Sequence, residues 1–391
     1  MSEAPLSIVY LHRTRSKDGQ NVHIESLIGG LRELGHRIEL VQPKAMDSAA
    51  FGDEGGLVSR LKRALPRALY EALEATYQAV EFVKLATHCL RSRPDAIYQR
   101  ANLHMLSGAA AARLLRIPLL VEVNAPLAEE RGAEPGLALP GLARWSERRL
   151  WRAADRLLPV SHVLARRLAD AGIDPACITV VANGVDPAAF EQLGDAAAAK
   201  RALGIAPDRL VIGFVGFVRP WHGTDRIVRF LASPAAPPHA HFLLVGDGPA
   251  RASLSALARE LGVEHKVTIT GVMAREAVPA AIAACDIAVL PDVVEYACPL
   301  KLIEYMAMGR AIVAPDKPNI RELVGPEREA LLVAPSDTAA LHQALARLAG
   351  DPALRARLGA AARAAVTAKG LTWQSNARTV ADIVRQLKRA R

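Results

Sequence analysis

The chain has 391 residues, about two to three ordinary domain lengths, and is 51% hydrophobic and 23% charged. That composition buries a sizeable core without staples and excludes a disordered tail protein or a small disulfide scaffold. With 49 Lys and Arg against 40 Asp and Glu the net charge is +9, which favours anionic partners such as phosphorylated substrates, nucleic acid or a negative membrane face. In chain order, short apolar runs at 7–11, 37–41, 96–98, 118–123, 156–160 and 179–182 read as buried strands. Helix-period segments such as 22–34 and 103–115 lie between them. The alternation restarts at 210–216 and continues through 241–245, 266–270, 287–290, 311–314 and 330–333. This is the pattern of an α/β protein with parallel sheets covered on both faces, in two consecutive doubly wound units. An Ala-, Gly- and Asp-rich stretch at 191–208 reads as the linker, and a last helix at 372–388 follows the second unit. The expected domains are 1–200, 201–371 and the closing helix 372–391.

Cys89, Cys177, Cys285 and Cys298 show no C-x-x-C spacing, which suits a reducing compartment and argues against a zinc site. The start of the chain has no basic n-region or cleavage site, and no apolar run reaches the ~18 residues of a membrane span. A cytoplasmic protein is expected.

Ligands of doubly wound units sit at the carboxyl ends of the strands, so strand-end loops are the places to search. The loop 12–23, H-R-T-R-S-K-D-G-Q-N-V-H, links the first strand to a helix, and Gly19 would let a phosphate approach its backbone. An ordinary turn with a solvated basic patch reads equally well. Residues 213–223, G-F-V-G-F-V-R-P-W-H-G, place Arg219 and His222 at a strand mouth; Arg offers a fork of donors suited to phosphate. The turn V-G-D-G-P at 245–249 carries little alone. At 270–272 the backbone of Val272 could read the edge of a base. Sharpest is 296–309, Y-A-C-P-L-K-L-I-E-Y-M-A-M-G. Here Pro299 opens a helix whose Leu300 and Lys301 N–H groups form its positive end. Glu304, one turn on, suits sugar hydroxyls; a solvated Glu pairing with Lys301 is the plainer alternative.

These five stretches in order resemble the retaining GT-B glycosyltransferases of family 4. The likeness extends to R-L-L-P-V-S at 156–161, V-V-A-N-G-V-D at 180–186 and L-T-W-Q-S-N at 371–376. It implies two Rossmann-like domains facing across a cleft, an N-terminal one for the acceptor and a C-terminal one for a nucleotide-diphosphate sugar, with the last helix crossing back. By position, Gly19 would meet the diphosphate or sugar, and Arg219 and His222 would hold the diphosphate. Val272 would meet the base, and Glu304 the ribose, in the donor stretch that also contains Tyr296, Cys298, Pro299, Leu300 and Lys301. Arg100 and Asn124 fall at acceptor-side strand ends. The resemblance implies no metal and no cofactor beyond the sugar nucleotide, UDP- or GDP-linked. It also implies a sugar or lipid-linked acceptor, with a softer likeness to bacterial surface-polysaccharide enzymes.

Departures are visible. The family has Lys where His222 stands, so a partly pH-dependent phosphate charge is expected. Its acidic pair E-x7-E would place the first acid at Tyr296, with Glu295 one residue off. Its usual histidine falls at or near Arg100, with His104 further on. The competing functions are a nucleotide-sugar epimerase, whose acids could only be Glu122 or Glu295, and a non-catalytic polyanion binder. Nucleic acid is not an expected partner, because basic residues are dispersed and aromatic ones are 4%. A membrane is. Segment 57–90 begins with Arg60, Lys62, Arg63 and Arg67 and continues with Leu69, Leu73, Tyr77, Val80 and Val83, an amphipathic basic pattern suited to an anionic inner leaflet. Packing of that apolar stripe on the first sheet is the alternative.

Overall fold

The structure is a computed structural model and describes residues 4–14, 19–42, 67–133, 137–191 and 195–391. Arg60, Lys62 and Arg63 of the basic segment lie outside these residues, as do the side chains of Arg67, Leu69, Leu73 and Tyr77. The chain forms two compact units, one of Met1–Ala182 with Trp373–Arg391 and one of Asn183–Thr372.

The first unit has a five-stranded parallel sheet in the order β2-β1-β3-β4-β5. Its strands are β1 (Ser7–Leu11), β2 (Arg37–Val41), β3 (Ala96–Arg100), β4 (Leu119–Val123) and β5 (Arg156–Pro159). β3 and β4 are buried along their whole length, as strands covered on both faces require. Right-handed crossovers place helix Gly19–Glu33, between β1 and β2, on one face. The same rule places helices Arg67–Ser92, Ser107–Leu115 and Pro140–Ala153 together on the other. The closing helix Trp373–Arg389 packs on Gly19–Glu33 through Trp373, Asn376, Ala377, Val380, Ala381 and Val384, a helical-period stripe. Gly30 permits the approach, since a Cβ there would lie 3.1 Å from the Trp373 carbonyl oxygen.

The second unit has six parallel strands in the order β11-β10-β9-β6-β7-β8. They are β6 (Leu210–Val215), β7 (Ala240–Val245), β8 (Val267–Ile269), β9 (Ile287–Val289), β10 (Ala311–Pro315) and β11 (Leu331–Val333). In one core cluster Phe214 and Phe242 of the strands join Phe230 of helix Asp225–Leu231 and Leu345 of helix Thr338–Gly350. Strand order reverses between β6 and β9, which pair in parallel, so the loops leaving their carboxyl ends are neighbours.

Two expectations change. Residues 183–191 and 195–200, expected with the first domain, belong to the second unit: the Asn183 side chain donates to the Cys298 carbonyl, Val185 N–H to Leu371 O, and Lys200 pairs with Asp286 at 2.8 Å. The run 179–182 is not a strand. Thr179 and Val181 donate to Leu157 and Pro159, but Pro159 has no N–H to return the next ladder bond. Among the described residues no helix is long and apolar enough to cross a membrane.

Candidate functional site

In the second unit the carboxyl ends of β6, β7 and β8 are tied together by backbone. Gly216 donates to Val245 O and Val218 to Asp247 O. Gly246, with φ of 134°, must be glycine, because a Cβ would lie 2.3 Å from the Gly216 carbonyl oxygen. Gly246 also bridges Gly271, which fixes the 270–272 turn and leaves Val272 exposed. The loop after β6 closes in a short 3-10 turn, Pro220–His222.

His222 is buried there. Its Nδ1 accepts the Arg219 N–H at 3.0 Å, which leaves the ring proton on Nε2, and the ring stacks against Trp221 with centroids 3.9 Å apart. Burial, then the charges of Lys301 and Arg219, push its pKa down to about 3. The pH-dependent phosphate charge expected at His222 is therefore corrected: the enclosed ring is a neutral N–H donor throughout the physiological range. Arg219 is exposed, its guanidinium 5.3 Å from the Phe217 ring centroid.

Lys301 is half-buried, and it is the lysine whose charge desolvation weakens most. Helix Leu300–Ala307 starts after Pro299, an extended N-cap, and Lys301 in its first turn reaches toward Gly216. Its ammonium lies 4.1 Å from the Phe214 ring centroid. A Cβ on Gly216 would lie 3.1 Å from Nζ. Desolvation pushes its pKa down to about 7, partly offset by the charge of Glu304. Among the described residues Nζ has no hydrogen-bond or ion-pair partner. A desolvated ammonium beside a helix N-terminus, with a neutral N–H donor and an arginine in the adjoining loop, has electrostatics that favour an anion. Glu304, one turn further, is buried and pairs with Arg275 rather than with Lys301, so the plainer alternative for it does not hold.

Other expected donor residues fall differently. Cys298 is buried, with its carbonyl taken by the Asn183 side-chain amide and its sulfur by the Asn183 N–H. It anchors the loop, and burial raises its thiol to about 12. Tyr296 is half-buried and Glu295 is exposed in the same loop. Sequence reading missed the braces of that loop. Lys317 Nζ donates to Asp292 and to Val293 O, both at 2.6 Å, while the Asn319 amide donates to Val294 O and Ala297 O. Arg226 donates to Pro291 O at 3.0 Å. The signal was the polar D-K-P-N after β10 at a strand end.

In the first unit the carboxyl ends of β1, β3 and β4 converge on Glu122, which is buried. It accepts from Tyr10 OH at 3.1 Å, Tyr98 OH at 2.9 Å, Arg100 and Asn124, and lies 3.0 Å from His23 Nε2. Burial alone would raise its pKa, but His23, Arg100 and the hydrogen bonds hold it well below the usual carboxylate range. Arg100 and Asn124 are thus brought together, but around a carboxylate rather than around an open space. Gly19 is the first residue of its helix and is exposed. Near by, Arg13 makes a two-point pair with Glu81, which also accepts from Ser107. Among the described residues no cluster of His, Cys, Asp and Glu is arranged to hold a metal.

Two doubly wound parallel-sheet units in one chain are the architecture of the GT-B fold. Residues 18–184 match the glycosyl transferase 4-like domain and residues 209–351 the glycosyl transferases group 1 domain. The chain belongs to these glycosyltransferases. It is 30% identical over 259 residues to the 2-deoxystreptamine glucosyltransferase of Streptomyces kanamyceticus, covering 64% of this chain and 66% of that one, just under two thirds of its length. It is 28% identical to the D-inositol 3-phosphate glycosyltransferase of Kribbella flavida, covering 94% and 90%. Anabaena HepE, solved in complex with UDP, shares the fold at a TM-score of 0.73 and 18% identity over 97% of this chain and 100% of that one.

Proposed function

We propose that this enzyme transfers a sugar from a nucleotide-diphosphate donor, UDP- or GDP-linked, to an acceptor hydroxyl with retention of configuration. The observation that carries the donor half is the unpaired Lys301 ammonium beside Gly216. Its desolvation is costly unless an anion arrives, and a diphosphate supplies one. In this reading Lys301, His222 Nε2–H, Arg219 and the Leu300 N–H bind the diphosphate, Val272 meets the base and Glu304 the ribose hydroxyls. As the anomeric C–O bond breaks, negative charge grows on the leaving phosphate and the same donors stabilise it. The acceptor oxygen attacks from the face the phosphate leaves, and its proton passes to a departing phosphate oxygen, so no protein base is assigned. No metal is invoked, because the donors named are all protein groups.

Acceptors of this class would be sugar, cyclitol or lipid-linked hydroxyls in bacterial polysaccharide or glycolipid assembly. For a lipid-linked acceptor the work would be done at the inner face of a membrane. The epimerase alternative needs a protonatable acid at a strand end, whereas Glu122 is held ionised by its donors and Glu295 is exposed.

Thermal shift with UDP, GDP and CMP tests the donor assignment. A melting temperature raised by UDP or GDP and unchanged by CMP is expected; no response to either diphosphate overturns it. Product NMR from a turned-over UDP- or GDP-sugar then tests the stereochemistry, and an inverted anomeric centre removes the front-face mechanism.

A further inference from the structure

Three helices of the first unit cover one face of its sheet: Arg67–Ser92, Ser107–Leu115 and Pro140–Ala153. The first packs on the second, and the second and third line one hollow of about 870 Å³. Of the eight large hydrophobic side chains exposed among the described residues, five stand on these helices. They are Val80 (50% exposed), Val83 (61%), Leu90 (62%), Leu114 (65%) and Trp145 (57%). On the first helix Val80, Val83, Lys84, Thr87, Leu90 and Arg91 are all exposed, at spacings of three and four, so they form one outward stripe. Leu85, Ala86 and Cys89 point inward. The apolar residues at 80 and 83 therefore face water rather than the sheet, against the alternative weighed from the sequence.

The same layer is strongly cationic. Arg113, Arg116, Arg144, Arg148, Arg149 and Arg152 are exposed, and none of them forms an ion pair among the described residues. Neither of their helices bears an exposed acid, since Glu147 is buried. Arg113, Arg116 and Arg152 sit at helix C-termini, where the dipole alone accounts for a cation. Arg144 and Arg148 do not, and they line a second hollow of about 340 Å³ beside Trp145.

Exposed arginines and a Trp on two helices of this layer, with a solvent-facing Val and Leu stripe on the third, match the chemistry of an anionic lipid–water interface. There cations meet headgroups, Trp sits at the boundary and the aliphatic chains meet acyl carbon. A polynucleotide would use the arginines but leave the aliphatic stripe in water. We propose that this helix layer docks the enzyme on an anionic bilayer surface. It gives the membrane setting of the proposed function a surface made of described residues, and it does not depend on the donor assignment.

The test is co-sedimentation of the full chain with vesicles of phosphatidylcholine alone or with 30% phosphatidylglycerol, at low and high salt. Wild type should bind the anionic vesicles at least about tenfold more tightly than the neutral ones, and less tightly at high salt. With each near-surface cation contributing about fivefold, Arg144→Gln, Arg148→Gln, Arg149→Gln and Arg152→Gln together should weaken binding by more than tenfold. That variant's melting temperature and its response to UDP and GDP should stay as in wild type. Trp emission should shift to the blue on anionic vesicles, and Trp145→Phe should remove that shift. Wild type that ignores anionic vesicles at low salt while still responding to a nucleotide overturns the docking surface and leaves the donor site standing. A fourfold variant that binds vesicles as wild type does also overturns it. So does tight binding of poly(dT) without vesicle binding.

Discussion

The two sheets of this enzyme end in opposite electrostatic solutions. At the carboxyl edge of the first, a buried anion, Glu122, is surrounded by two tyrosines, an arginine, a histidine and an amide. At the carboxyl edge of the second, the Lys301 ammonium has an aromatic ring and a glycine beside it and, among the described residues, no anion in hydrogen-bonding reach. A buried charge with all its partners in place holds the protein together, because removing one member strands the others. A desolvated charge without a partner costs stability in the free protein and returns it when a ligand of opposite sign binds. The contrast separates a satisfied charge network from an unsatisfied cation on one architecture.

Glu122→Gln should break the first half of the comparison. Stranding the Arg100 cation should cost about 3–5 kcal/mol, seen as loss of the first unit's transition in urea. The folded pKa is depressed, so the carboxylate's contribution is present above the unfolded value near 4.5 and is lost as pH falls below it. A Glu122→Gln enzyme as stable as wild type would make the cluster a loose polar pocket instead.

Lys301→Met should break the second half. Removing a half-buried, desolvated donor to the leaving phosphate should lower kcat/KM by about 10²–10³, and more than Arg219→Ala, whose guanidinium is exposed and screened. Because the free ammonium titrates near 7, UDP or GDP affinity should fall as pH rises from about 7 toward 9, and that slope should vanish in Lys301→Met. Stability of the free enzyme should move the opposite way. The unfolded chain holds the Lys301 proton up to the ordinary lysine value, so stability rises with pH between about 7 and 10.5. A calorimetric titration that finds flat affinity in wild type removes Lys301 from the phosphate.

The smallest effect sharpens the comparison. Glu304→Ala should raise donor KM about tenfold with little change in kcat, since ribose contacts act on ground and transition states alike. A fall in kcat at constant KM would move Glu304 into the chemistry.

Strand periodicity is local, and the sequence alone therefore located every described strand to within a residue or two, while adding one at 179–182 that does not form. It also located the strand-end loops that bear Arg219, His222 and Lys301. The helix that starts after Pro299 was determined in the same way, through proline's lost N–H and fixed φ. What the sequence could not determine was which of those groups lose water and which find partners. His222 read as a pH-sensitive cation and is a buried neutral donor. Lys301 read as a backbone contact and carries the desolvated charge. Arg100 and Asn124 read as acceptor contacts and converge on Glu122. The aliphatic stripe of Val80 and Val83 read equally well as core or as surface and lies on the surface. Burial and pairing depend on residues far apart in the chain, as Tyr10 and Glu122 are. No local pattern carries that information, so tertiary packing alone decided protonation, partner and exposure.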